Sequence, residues 1–256
     1  MNLQLWRNAT LQIRIQGTNL LIDPMLGKKG SFGIFPWTND TRENPLVDLP
    51  FSDAETLTKL NDINAVFVSH LHPDHWDEAA VKLIDKSLPI ICPSPISEAI
   101  SAYGFLNVQP IYKKLQFNDL EFYLTSGQHG TDEIGEKMGL VNGVVIKSQN
   151  QKVYVAGDTI WCQEVKDAID SYKPQHIIVA GGAATFSIGN PVTMTTEHIL
   201  ELATYAPNST LWITHLEAIS PCTQDRTYIS EFLENNRLTE RCKILADGQN
   251  ANLFSP

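Results

Sequence analysis

The sequence predicts an α/β protein with a strand-rich first half and a second half in which helices and strands alternate. Two observations carry that reading. Up to about residue 160, apolar residues alternate or run together in short stretches separated by turn-like breaks. Beyond it, segments of helical spacing alternate with short buried-strand runs, as in βα units. No internal repeat or low-complexity segment interrupts the pattern.

The elements follow in order. Residues 3–7, 11–16 and 19–22 predict a meander of strands, broken by "NAT" and "QGTN". Residues 26–53 resist assignment: they are rich in Gly, Pro and Asn, yet carry Phe32, Phe35 and Trp37. A loop of that length is either an irregular segment packed on a core edge or a cover over an active site. "AVFVSH" (65–70) reads as a buried strand, and 77–88 as a helix with Asp77 at its N-cap and Glu78 in its first turn. "LPIICPS" is strand-like and "SEAISAYGF" a short helix. "LEFYLTSGQ" and "NGVVIKSQNQKVYVAGDT" predict three more strands, the last two a hairpin turning at "SQNQ". Helices are expected over 161–173, over 195–207 behind a Thr cap, and in "QDRTYISEFLENNRL". Strands are expected over 175–182, over 209–217 and in "CKILADGQ".

Bulk properties narrow the functional classes. At 256 residues, 43% hydrophobic and 19% charged, the chain reads as one globular domain, 1–256. Lysine plus arginine (19) against aspartate plus glutamate (29) gives a net charge of −10, which argues against a nucleic-acid backbone as partner. The four cysteines form no CxxC pair and read as free thiols. The first residues lack the layout of a signal peptide, and no apolar run approaches a membrane span of roughly 20 residues. A cytoplasmic protein without membrane partners is the expectation.

The chemistry concentrates in "SHLHPDHWD", Ser69–Asp77, which holds three of the chain's seven histidines. His70 and His72 are two apart, so on extended backbone they project to one side. Pro73 breaks the strand, and Asp74 and His75 follow just before the helix. Four side chains can thus aim at one space. Imidazole with carboxylate suits zinc, iron or manganese, and the missing cysteine argues against a purely structural zinc site.

His-x-His-x-Asp-His at a strand-to-helix turn resembles the signature of the metallo-β-lactamase superfamily. The order of elements is also similar to that family's four-layer αβ/βα sandwich, two mixed β-sheets packed face to face with helices outside. The resemblance implies four further residues, each after a strand-like run: Asp23 in "LLIDP", His129 in "LTSGQHG", Asp158 in "VYVAGDT" and His215 in "LWITHLE". It implies two divalent ions, zinc first and manganese or iron as alternatives. His70, His72 and His129 would hold one ion, and Asp74, His75 and His215 the other. Asp158 would bridge both, and Asp23 would orient a ligand histidine. Asp74 and Asp158 are the expected catalytic carboxylates. A water shared by two such ions loses a proton near neutral pH and serves as nucleophile. His176 and His198 remain as structural histidines.

Within the superfamily the chain resembles the lactonase-like metal-dependent hydrolases, including the ascorbate-6-phosphate lactonase type, in compactness, in the early Asp-Pro and in Gly181-Gly182. The resemblance implies hydrolysis of an ester, lactone or phosphodiester of a small molecule. The alternatives are a glyoxalase II-like thioesterase, a persulfide dioxygenase, a small nuclease or phosphodiesterase, and a metal-binding sensor or scaffold without turnover. Lys28, Lys29, Arg42 and Lys137 are candidate contacts to a charged substrate group, though solvated surface positions are the simpler reading for each. A homo-oligomer is left open.

Overall fold

The computed structural model describes residues 1–254 and contains two seven-stranded mixed sheets. In the first, β1 (Asn2–Arg7), β2 (Thr10–Ile15) and β3 (Thr18–Ile22) form the expected antiparallel meander. From β3 the sheet continues in parallel through β4 (Ala65–Phe67), β5 (Ile90–Pro93) and β6 (Val108–Ile111). In the second, β7 (Lys114–Phe117), β8 (Leu120–Ser126), β9 (Asn142–Ser148) and β10 (Gln151–Val155) are antiparallel. Then β11 (His176–Ala180), β12 (Thr210–Thr214) and β13 (Cys242–Ile244) add in parallel. The chain closes with β14 (Asn250–Asn252), which returns to pair with β1.

Period-two patterning explains why the sheets face each other and also carry helices. Along β4 and the residue after it, Ala65 and Phe67 point to the inter-sheet core, while Val66 and Val68 point to the helices outside. Along β10, Val153 and Val155 enter the same inter-sheet core and Tyr154 points outward. The first sheet is covered by α1 (Asp53–Asn61), α2 (Glu78–Leu83) and α3 (Ser97–Ala102). The second is covered by α5 (Gln163–Tyr172), α6 (Thr196–Tyr205) and α7 (Arg226–Asn235). A smaller cluster joins α4 (Asp132–Met138) to the segment around Ala184 and Val192. The four layers are those expected from the sequence.

The departures are local. Helix α1 was not anticipated, although Ser52 and Glu55 form a full capping box at its start. The helix begun at Asp77 stops at Leu83, short of residue 88, while Asp77 caps it as expected by accepting from the Ala80 amide at 2.7 Å. The short elements β6, β7, α4 and β14 carried too little periodicity to be read. In α4 only Ile134 and Met138 are buried.

The segment 26–53 is irregular but firmly tied. The guanidinium of Arg7, fully buried, donates to the carbonyls of Val47, Met25 and Gly27, each at 2.8 Å. Burial lowers Arg7 to about 10, against the pull of Asp77, Asp247 and Asp48, so it stays charged at neutral pH. Buried Asn44 accepts from the Ser220 amide at 2.8 Å and donates to the Ser220 hydroxyl at 3.1 Å. The Trp37 carbonyl accepts from both the amide and the hydroxyl of Ser187, each at 2.7 Å. Among the described residues, no helix is long and apolar enough to cross a membrane.

Candidate metal centre

Every residue implicated by the sequence follows a strand on the same edge of the two sheets. Asp23 follows β3, His70–His75 follow β4, His129 follows β8, Asp158 follows β10 and His215 follows β12. The ends of parallel strands in α/β proteins commonly collect ligands in this way. Their ligand atoms form two groups, His70–His72–His129 and Asp74–His75–Asp158–His215, each with its atoms within 4.8 Å of one another. All but His72 are buried.

The hydrogen bonds behind the rings determine which nitrogen faces the centre. Asp23 accepts from the Ser69 amide and hydroxyl, both at 2.7 Å, and lies 2.9 Å from His75 Nδ1. Because the Ser69 hydroxyl proton goes to Asp23, Ser69 Oγ is free to accept from His70 Nδ1 at 2.9 Å. Neutral His70 therefore carries its proton on Nδ1 and turns a bare Nε2 inward, 3.0 Å from His72 Nδ1. His129 Nδ1 donates to the Val192 carbonyl at 2.9 Å, which leaves its Nε2 bare as well. His215 Nδ1 lies 3.5 Å from Cys222 Sγ, and its Nε2 lies 2.9 Å from Asp74 Oδ2. Asp23 thus has the orienting geometry expected of it, on both His75 and, through Ser69, His70.

Asp158 sits between the two groups. Its Oδ2 is 3.1 Å from His75 Nε2, 3.2 Å from His215 Nε2 and 3.8 Å from His129 Nε2. Its Oδ1 is buried with no hydrogen-bond partner, and His75 Nε2, though 3.1 Å from Oδ2, is not aligned to hydrogen-bond to it. Two orphaned buried donor–acceptor atoms, in a nest of imidazoles whose far nitrogens are already committed, fit a site built for cations.

The electrostatics agree. Burial alone would lower His75, but Asp158, Asp74 and Asp23 outweigh it and raise the imidazole to about 10. His215 is also raised well above its ordinary value, burial being outweighed by Asp158 first. Conversely, burial would raise Asp74, but His75 and His215 lower it to about 2, and the same two histidines hold Asp158 well below the usual carboxylate range. In the other group, burial lowers His70 strongly and lowers His129 to about 4. Without ions, the carboxylate-rich group stores protons where divalent charge would sit.

Two glycines make the approach possible. Gly130, at φ +95°, lets Val192 come so close that a Cβ there would meet its Cγ1 at 2.8 Å, which brings the Val192 carbonyl to His129. A Cβ on Gly182 would lie 2.4 Å from the His215 carbonyl and 2.6 Å from Cys222 Sγ. Gly182 therefore serves by making room for the His215 turn, whereas Gly181 makes room for Ile213 in β12. His215 itself, at φ +58°, is held there by its amide donating to Asn8 O at 3.0 Å.

His176 and His198 stand apart from the cluster. His176 accepts from Trp212 Nε1 at 3.1 Å, and His198 caps α6 with Thr195. Lys28 pairs with Asp53 and Arg42 with Asp40 on the exposed surface. The Lys29 side chain is exposed too. Of the four candidate cations only Lys137 lines the cavity above the cluster. Three contributors were missed. Ser69 and Cys222 contact ligand rings, and Asn8 Nδ2 lies 3.3 Å from the Asp74 carbonyl and 3.4 Å from its carboxylate. Ser69 adjoins the motif and could have been found; Asn8 and Cys222 carry no sequence signal beyond a turn.

The Beta-lactamase superfamily domain matches residues 18–216 of this chain. UPF0173 protein YddR of Bacillus subtilis is 33% identical over 253 residues, covering 97% of this chain and 98% of its own. A possible metal-dependent hydrolase from Veillonella parvula superposes with a TM-score of 0.93 at 30% identity, over 98% of both chains. The isothiocyanate hydrolase from Delia radicum gut bacteria gives a TM-score of 0.92 at 30% identity, over 98% of this chain and 99% of that one. The chain belongs to the metallo-β-lactamase superfamily and, within it, to the UPF0173 family of metal-dependent hydrolases.

Proposed function

We propose that the enzyme hydrolyses small molecules with an electrophilic carbon, and that isothiocyanates, esters and lactones are the classes to test first. Orphaned Asp158 Oδ1 and His75 Nε2, inside a ring of imidazoles oriented from behind, are the observation that carries the reading. His70, His72 and His129 would hold one divalent ion, Asp74, His75 and His215 the second, and Asp158 both. Zinc is the first candidate by donor chemistry, with manganese or iron as alternatives. When bound, such a pair supplies a water of near-neutral pKa and polarises the electrophile. The remaining work belongs to the chain. Ser69 and Asp23 keep the His70 and His75 rings in the tautomers a cation requires. Asp74 and Asp158 carry the charge that draws cations in, and Asp74 stands at the cavity floor, where it can take or orient a proton of the attacking water.

Similarity to the isothiocyanate hydrolase supports R–N=C=S as the first substrate class to test. Water adds across the C=N bond to give R–NH–C(=O)–SH, which separates into the amine R–NH2 and carbonyl sulfide. A phosphorylated lactone or a nucleic acid has less support, because Lys137 is the only lysine or arginine lining the cavity. The test is turnover by the metal-loaded protein of a panel of isothiocyanates, acetate esters and lactones. Hydrolysis of one class, abolished by chelation and restored by metal, is expected. Inertness toward all three with two ions bound would overturn the reading.

A further inference from the structure

The cavity over the cluster has a polar floor and apolar walls. His72, Asp74, His129, Asp158 and His215 form the floor. Phe35, Trp37, Met138, Phe186, Val192 and Ile219 form the walls. The cavity, open to solvent on one side, has a volume of about 210 Å³, against roughly 150 Å³ for an apolar cavity that takes up benzene. It therefore has room for one phenyl-sized group and a short reactive head. The walls come from two loops that brace each other. Phe35 lies edge-on to Phe32 at 5.4 Å and to Phe186 at 6.4 Å, and the Trp37 carbonyl is bound by Ser187.

Lys137, the only lysine or arginine in this lining, is already engaged. Its ammonium is 3.5 Å from the Glu133 carboxylate and 5.2 Å from the centre of the Trp37 ring. An anionic group at the far end of a substrate would lose its water shell against aromatic walls and find no free cation there. Trp37 lines the cavity and is 42% exposed, so its ring stands between the cavity and solvent.

We propose that this enzyme selects neutral substrates that carry one uncharged arm of about phenyl size, with Trp37 as the residue that sets the accepted arm length. The proposal rests on the reading that an electrophilic carbon is hydrolysed at the centre below, and it adds the chemistry of the arm.

The test uses the full metal-loaded protein with methyl, butyl, benzyl and 2-phenylethyl isothiocyanate and the 4-carboxybenzyl analogue. In parallel, calorimetry measures binding of unreactive N-benzylacetamide and of its 4-carboxy derivative. From methyl to benzyl, kcat/KM should rise about tenfold or more, mainly through KM. The carboxylated forms should react and bind at least about tenfold more weakly than their neutral counterparts. Trp37→Ala should flatten the dependence of KM on arm length and weaken N-benzylacetamide binding by about tenfold, with metal stoichiometry unchanged. Trp37→Phe should restore most of the preference. A KM independent of the arm, or preference for the carboxylated forms, would overturn the proposal even if methyl isothiocyanate is hydrolysed. Conversely, Trp37-dependent binding of N-benzylacetamide without turnover of any isothiocyanate, ester or lactone would sustain the arm site and defeat the reaction assigned to the centre.

Discussion

The carboxylate of Asp23 shows how much of the centre is arranged from behind. It holds the His75 ring directly and the His70 ring through Ser69. Replacing it by asparagine puts an NH2 either against the Ser69 amide or against the Ser69 hydroxyl and His75 Nδ1, so at least one donor loses its acceptor. Asp23→Asn should therefore weaken metal affinity about 10–100-fold, as read by competition with a chelator. Protons give a second check. His75, raised to about 10, and His215, raised further than its ordinary range, are charged at pH 7 in the metal-free protein, whereas an imidazole must be neutral to ligate. Metal uptake at pH 7 should release about two protons, measurable by calorimetry in buffers of different ionisation enthalpy. Uptake without proton release would contradict the assignment of these two rings. At this scale the sequence was most legible where chemistry is rare. The nine-residue motif pointed to His70, His72, Asp74 and His75, and the resemblance it carries implied His129, Asp158, His215 and Asp23. Asn8, Ser69 and Cys222 act by ordinary hydrogen bonds and look like any other polar or small residue until the fold brings them together.

Elements were legible in proportion to their burial. Strands such as β10 and β11, covered on both faces, show runs of β-branched and apolar residues and were found, β11 to within two residues at each end. The exposed edge strand β7 and the three-residue β14 have little side chain to bury and left almost no pattern. The segment 26–53 was unreadable for another reason: its order comes from distant partners. Arg7 supplies two of its hydrogen bonds, to Gly27 and Val47, and a third to adjoining Met25, while Ser220 and Ser187 make others. Arg7→Met should leave those carbonyls short of a donor at about 1–3 kcal/mol each. Limited proteolysis should then cut the variant within 28–47 faster than it cuts the parent chain. Equal resistance would mean that the aromatic contacts alone hold the segment. Helix α1 offers a smaller check, since Ser52→Ala removes a capping box and should cost about 1 kcal/mol in denaturant unfolding.

At the scale of the whole molecule, two seven-stranded sheets bring residues as far apart as Asp23 and His215 to one edge. Each sheet joins an antiparallel part to a parallel part, and the cluster lies where strand ends from both sheets meet. The resemblance in one nine-residue motif foretold this arrangement because the fold, and not the local sequence, is what spaces the remaining ligands. What lies over the cluster, aromatic and nearly free of unpaired charge, could not be foretold, since the walls come from loops without periodicity.

The central claim is that Asp158 joins two ions into one centre. Its most direct test is metal content per chain by mass spectrometry after saturation with zinc, manganese or iron and removal of the excess, together with hydrolysis rate. Parent protein and His176→Ala should each hold two ions, while Asp158→Ala should hold at most one and lose nearly all activity. Two ions and full rate in Asp158→Ala would contradict it.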